Sequence, residues 1–156
     1  MQGCGNDYIY FDCFKQVIEN PEKLSIKLSN RNYGIGGDGI ILICPSEKAD
    51  AKMRMFNSDG SEGKMCGNGI RCVGKYLFDN KIVNGDYVTI ETLSGIKTLK
   101  AYKTQNCVTK LCVDMGKVEF DPKKIPVNIS RKKIIKKNVI IGNKSYNITC
   151  VSLGNP

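Results

Sequence analysis

Residues 65–79 read Met65-Cys66-Gly67-Asn68-Gly69-Ile70-Arg71-Cys72-Val73-Gly74-Lys75-Tyr76-Leu77-Phe78-Asp79. Ile70, Val73 and Leu77 recur at i, i+3 and i+7 with Gly74 beside them, which predicts an amphipathic helix over 67–79. A cysteine directly ahead of the Gly-Asn-Gly start stands among unpaired backbone N–H groups at the positive end of the helix dipole. Such a position stabilises a thiolate and can also hold a carboxylate. Cys66 is therefore either an acid/base group or a buried cysteine at a glycine-rich helix start, and the stretch alone leaves both open. Cys72, six residues on and inside the helix, reads as a packing residue.

Outward from this helix the chain reads mostly as strands. Residues 8–14 are aromatic and β-branched, 40–44 are apolar up to Pro45, and 51–56 alternate ahead of the Asp59-Gly60 turn signal. Residues 86–93 and 96–102 predict a hairpin around Ser94-Gly95. Further strands are expected at 107–115, 138–141 and 146–152, the last two joined across Gly142-Asn143. A second helix is expected over 21–31, with Asn20 as N-cap, Pro21 in the first turn, and Leu24, Ile26 and Leu28 as its apolar surface. Many strands with two helices define an α+β, mostly antiparallel fold.

Gly34-Ile35-Gly36-Gly37-Asp38-Gly39 matches the GxGxxG dinucleotide fingerprint letter for letter. That fingerprint needs strand, glycines, then helix, so that a pyrophosphate meets a helix N-terminus. Here the order is helix, glycines, strand, so dinucleotide binding is not expected. Asn6 and Asn57 each stand beside an Asp or at a strand end, as turn formers or as amides that read a substrate; taken alone, both favour the turn.

Composition narrows the chemistry further. The chain has 156 residues, 41% hydrophobic and 25% charged, without a stretch of the ~18 apolar residues that a membrane helix needs. It has no histidine, which excludes serine–histidine and cysteine–histidine hydrolase arrangements and imidazole zinc sites. Cysteine, carboxylate, lysine and tyrosine remain for proton transfer. None of the eight cysteines forms a CxxC pair, and Met1-Gln2-Gly3-Cys4-Gly5-Asn6-Asp7 is not a secretory signal. The expected setting is cytoplasmic, with no structural metal, no disulfide framework and most cysteines free and buried. Residues 122–156 hold eight of the 24 basic residues and none of the 15 acidic ones, so nearly all of the +9 net charge lies there. In Arg131-Lys132-Lys133-Ile134-Ile135-Lys136-Lys137 lysine dominates and no aromatic residue interleaves, so the run reads as a solvated surface rather than a nucleic-acid site.

Five motifs taken together resemble diaminopimelate epimerase. They are Gly3-Cys4-Gly5-Asn6-Asp7-Tyr8, the glycine run 34–39, Met53-Arg54-Met55-Phe56-Asn57-Ser58-Asp59-Gly60-Ser61-Glu62, the Cys66 stretch, and Val151-Ser152-Leu153-Gly154-Asn155-Pro156. The resemblance implies a lobe of mostly antiparallel strands curled around a central helix, in an enzyme of two similar lobes with the site between them. It implies an isomerase of lysine and peptidoglycan biosynthesis that interconverts LL- and meso-diaminopimelate without a cofactor. In that chemistry two cysteines flank the α-carbon, one removing a proton and the other returning one. Cys66 matches the first of them, and Asn6, Asn57, Gly67, Asn68 and Asn155 match substrate-contacting positions.

The sequence also departs from the pattern. The resemblance places a first lobe at 1–110 and the start of a second at 111–156, with no second cysteine motif and none of the second lobe's substrate-binding Glu and Arg. Gly39 stands where some members carry a substrate-contacting glutamine. The 156-residue chain is therefore expected to be inactive alone, to bind a small molecule rather than nucleic acid or membrane, and to associate, as a homodimer or through exposed strand edges. Two further readings stay open at this point: a binding or regulatory module acting through its basic C-terminal segment, and a racemase of the same fold for another amino acid.

Overall fold

The computed structural model describes residues 1–125, 127–129 and 132–153. The chain forms two compact units, Met1–Asp114 and Met115–Pro156. The first opens with a small hairpin, β1 (Gln2–Gly3) and β2 (Asn6–Asp7), and continues through β3 (Ile9–Asp12), α1 (Pro21–Ser29), β4 (Gly39–Cys44), β5 (Ala51–Asn57) and β6 (Glu62–Gly63). It then forms α2 (Gly67–Asp79), β7 (Tyr87–Thr92), β8 (Gly95–Thr104) and β9 (Cys107–Val113). The large sheet runs β3-β4-β5-β7-β8-β9, with β6 beside β5.

The expected α+β class and the mainly antiparallel pairing are both present. Two pairs are parallel, β3 with β4 and β5 with β7. They fall where a helix intervenes, because parallel neighbours need a long crossover, and α1 and α2 are those crossovers. Side chains alternate between the faces of β4. Ile40 and Leu42 form a buried cluster with Phe56, against which Leu24 of α1 packs. Ile41 points the other way, to α2, where a Cβ on Gly69 would stand 2.5 Å from its Cδ1. At Gly74 a Cβ would stand 2.9 Å from Leu99 Cδ2 and 3.1 Å from Leu111 Cδ1. The sheet therefore curls around α2, gripping it with β4 on one side and β8 and β9 on the other. Ile70, Val73 and Leu77 are fully buried there, each contributing about 1.5–3 kcal/mol.

Several local expectations change. Asn20 sits at the N-cap of α1, but its side chain makes no capping bond. The buried stripe of α1 is Pro21, Ser25 and Ser29, not Leu24, Ile26 and Leu28, and Ile26 is half exposed. Small residues at i and i+4 let the helix approach closely, and Ser25 Oγ donates to the carbonyls of Phe56 (3.1 Å) and Asn57 (2.7 Å). The glycine loop serves the same helix: the amides of Gly36 and Gly37 fill the carbonyls of Leu28 and Ser29 at 2.9 and 3.1 Å. All eight cysteines are free, but only Cys66 is buried, which corrects the expectation of buried thiols. Cys4 lies at a hairpin tip, Cys107 and Cys112 lie on the edge strand β9, and Cys72 is only part-buried.

In the second unit, β10 (Lys137–Ile141) and β11 (Lys144–Ile148) form an antiparallel ribbon. Its second strand begins two residues earlier than the sequence suggests, because the Gly142-Asn143 turn closes directly on the Ile141–Lys144 pair. A bridge joins Glu119 to Ser152, and Ile125 and Ile134 are buried.

Candidate active site

Cys66 is the N-cap of α2 in an extended conformation. Its sulfur accepts a hydrogen bond from the Gly69 N–H at 3.3 Å, the place usually taken by a serine or aspartate oxygen. The thiol in turn donates to Asn6 Oδ1 at 3.3 Å. The amides of Gly67 and Asn68, also in the first turn, have no intrahelical partner.

Asn6 is held by a network of charges. Its Nδ2 donates to Asp38 Oδ2 at 2.6 Å, and the Asp7 amide donates to the same oxygen at 3.1 Å. Arg31 grips Asp7 through two hydrogen bonds of 2.7 and 3.1 Å and reaches Asp38 Oδ1 at 3.1 Å. With its NH₂ end bound to a carboxylate, the amide has only its oxygen left for Cys66. The Arg31 guanidinium holds the Asp7 carboxyl below the usual carboxylate range. Tyr8, buried beside Cys66, is pushed up to about 12 by burial and then by the charge of that neighbour, so its phenol stays protonated.

The other expected residues are placed less directly. Asn68 is packed by Gly3, where a Cβ would stand 3.2 Å from the Asn68 carbonyl. Its Oδ1 accepts from Arg71 at 2.6 Å. Asn57 ends β5, and its Nδ2 donates to Ser61 Oγ at 3.0 Å, closing the 57–61 turn. Its link to the site runs through its neighbour, because the Ser58 amide donates to the Asp38 carbonyl at 3.0 Å. The structure therefore brings Asn6 and Cys66 into contact at the start of α2, with Asn57 one step away. Asn155 lies outside the described residues. Asp38, Arg31 and Tyr8 were not singled out in the sequence. For Asp38 the signal was its place in the glycine run 34–39, one of the five motifs of the resemblance, which by itself names no role for the carboxylate.

The curled α+β lobe has the fold seen in solved racemase and epimerase structures. The chain superposes on a probable proline racemase from Agrobacterium radiobacter K84, determined with bound carbonate, with TM-score 0.58 and 16% identity over 96% of this chain and 47% of that one. At that identity the likeness is one of fold. The diaminopimelate epimerase family model matches residues 1–120, and the chain belongs to that family. It is 51% identical over 156 residues to the diaminopimelate epimerase of Acetivibrio thermocellus and 50% identical to that of Methanococcus maripaludis strain S2. All of this chain aligns with each, but it spans 56% of their length.

Proposed function

We propose that this chain carries one of the two acid/base thiols of a cofactor-independent diaminopimelate epimerase, and that Cys66 is that thiol. The observation that carries the reading is the pair of opposed hydrogen bonds at its sulfur: as a thiol it donates to Asn6, and as a thiolate it accepts from Gly69. A group that exchanges a proton with carbon must be accommodated in both forms. The substrate α-carboxylate would sit on the Gly67 and Asn68 amides, where positive dipole and open donors stabilise the charge that develops as the α-proton leaves. Asn6 would orient the thiol, and Asn57 and Asn155 would contact substrate.

Inversion needs a second acid on the opposite face of the α-carbon. Among the described residues no other cysteine opens a helix. The 156-residue chain by itself would therefore not invert diaminopimelate, whereas a polypeptide that joins it to a second lobe, at the full length of the relatives, would do so with deuterium entering from heavy water. In that polypeptide Cys66→Ser should lower inversion at least about a hundredfold, and Cys72→Ser should leave it within a few-fold. Turnover by the 156-residue chain alone, or an active Cys66→Ser protein, would overturn the assignment.

A further inference from the structure

On the opposite face of the sheet from Cys66 lies a second sulfur arrangement. β3 and β4 pair in parallel with Ile9 opposite Ile40, Tyr10 opposite Ile41, Phe11 opposite Leu42 and Asp12 opposite Ile43. One step further this register sets Cys13 opposite Cys44, and the Cys13 amide donates to the Ile43 carbonyl at 2.9 Å, so the pairing persists to that point. By alternation Ile9, Phe11 and Cys13 share one face of β3, while Ile40, Leu42 and Cys44 share the matching face of β4. Both cysteines pack on the cluster of Ile40, Leu42 and Phe56, and both are free and part-buried. Neighbouring strands run about 4.8 Å apart, inside the ~4.4–6.8 Å separation of Cα atoms that a disulfide spans.

The register points to a modification site: we propose that Cys13 and Cys44 form a dithiol that a small-molecule disulfide oxidises to an intramolecular bridge. One thiolate of the pair attacks a sulfur of the small disulfide, forming a mixed disulfide and releasing one small thiolate. The second thiolate then attacks the protein sulfur of that mixed bond, closing the Cys13–Cys44 bridge and releasing the other small thiolate. Two electrons pass from the pair to the small disulfide, and two protons go to solvent. The charged groups around the pair are Asp12 on β3 and Lys52 and Arg54 on β5. Burial pushes both thiols up, Cys44 to about 12 with Cys13 adding to the rise and Arg54 and Lys52 opposing it. At Cys13 the hydrogen bond with Cys44 and the Arg54 charge oppose the rise and Asp12 adds to it. The reaction is accordingly slow near neutrality and faster in mild alkali. Its structural effect is to fasten β3, an edge strand, to β4.

The test is peptide mapping of the folded 156-residue chain after incubation with glutathione disulfide, with free thiols blocked before digestion. Trypsin leaves Cys44 in the fragment 32–48 and Cys13 in 1–15, which also contains Cys4. The expected product is a cross-link between these two fragments, lighter by two hydrogens than their sum. It should persist in Cys4→Ser, and disappear in Cys13→Ser and Cys44→Ser, where the surviving partner carries one glutathione. Two results would overturn the proposal: separate glutathione adducts on Cys13 and Cys44, or both thiols blocked as free while the exposed Cys4, Cys107 or Cys112 react. Circular dichroism of each serine variant ensures that a lost bridge is not a lost fold. None of these readouts depends on epimerase activity.

Discussion

At the scale of single residues the decisive feature is the fixed orientation of one amide. Asp38 takes the NH₂ end of Asn6, so the Cys66 sulfur meets an acceptor there rather than a donor. Removing the Asp38 carboxylate frees the amide to turn its NH₂ toward the sulfur, which favours the thiolate. Exchanging acceptor for donor is worth about 1 kcal/mol, or roughly a fivefold change in population. Asp38→Ala should therefore speed alkylation of Cys66 by iodoacetamide at neutral pH by about that factor. An unchanged or slower rate in a folded variant would remove Asp38 from this positioning role. The Arg31–Asp7 pair makes a second prediction. The folded Asp7 carboxyl is held low by Arg31, so its contribution is complete above about pH 4, the unfolded value. It is lost as pH falls through the lowered folded value. Urea midpoints of the wild type and Arg31→Ala should differ at pH 6 and converge near pH 2; a gap that persists in acid would assign the effect to packing. The place of Cys66 at a helix start was legible in the sequence, because a cysteine before Gly-Asn-Gly has a local meaning. Asp38 and Arg31 were not, because their roles arise from tertiary contacts spanning 24 to 32 residues that no periodicity reports.

At the scale of elements the chain was largely readable where periodicity was strong. α2 spans the residues its Ile70–Val73–Leu77 spacing implies, whereas the β7–β8 hairpin turns at Leu93-Ser94, one residue before the Ser94-Gly95 pair, because Gly95 already pairs with Thr92. The small pairs β1–β2 and β5–β6 went unread, since two-residue strands carry no alternation. The buried stripe of α1 was misread because it is made of the small residues Pro21, Ser25 and Ser29, with Ser25 bonding to the carbonyls of Phe56 and Asn57, while Leu24 packs only part-buried at its side. Three glycines rank differently once the neighbours are known. At Gly39 a Cβ would fall 2.0 Å from the Phe56 carbonyl oxygen, which is backbone and cannot yield. At Gly69 and Gly74 the nearest atoms are methyl groups of Ile41 and Leu99. Overpacking of that kind costs about 1–3 kcal/mol, offset by up to ~1 kcal/mol of helix propensity. Thermal unfolding should therefore place Gly39→Ala well below both helix variants, with Gly74→Ala losing about 1–2 kcal/mol. Equal losses at all three would contradict the packing that places α2 inside the curl. β4 also sets an alkaline limit. Cys44 titrates higher folded than unfolded, so the stability it lends is complete below about pH 8.5, the free-thiol value, and is lost as pH rises toward 12. Cys44→Ala should flatten the fall in stability over that interval.

At the scale of the whole molecule the two units have different resources. Met1–Asp114 contains the large sheet, both crossover helices and the Cys66 site, which is enough core to fold. The second unit contributes a two-stranded ribbon, an element that is marginal alone in water. It exposes Ile140 at 76% and Ile141 at 64% of their surface. Apolar side chains on a ribbon with open edges favour pairing with another copy. Opposing this, residues 122–156 hold eight positive charges and no negative ones, so two such segments repel each other at long range. The balance of these effects fixes the sign of a salt response. Screening shortens the repulsion from about 14 Å at 0.05 M salt to about 4 Å at 0.5 M, while apolar contact is unaffected. Self-association of the 156-residue chain should therefore strengthen with salt, read as a rise in weight-average mass by sedimentation at constant protein concentration. Ile140→Lys should suppress the rise, and Met1–Asp114 alone should stay monomeric at both salts. A basic surface that holds a polyanion would respond oppositely, its complex weakening steeply as salt increases. A monomer at every salt and concentration would mean that the ribbon's apolar residues are simply tolerated in water, and the association argument would fail.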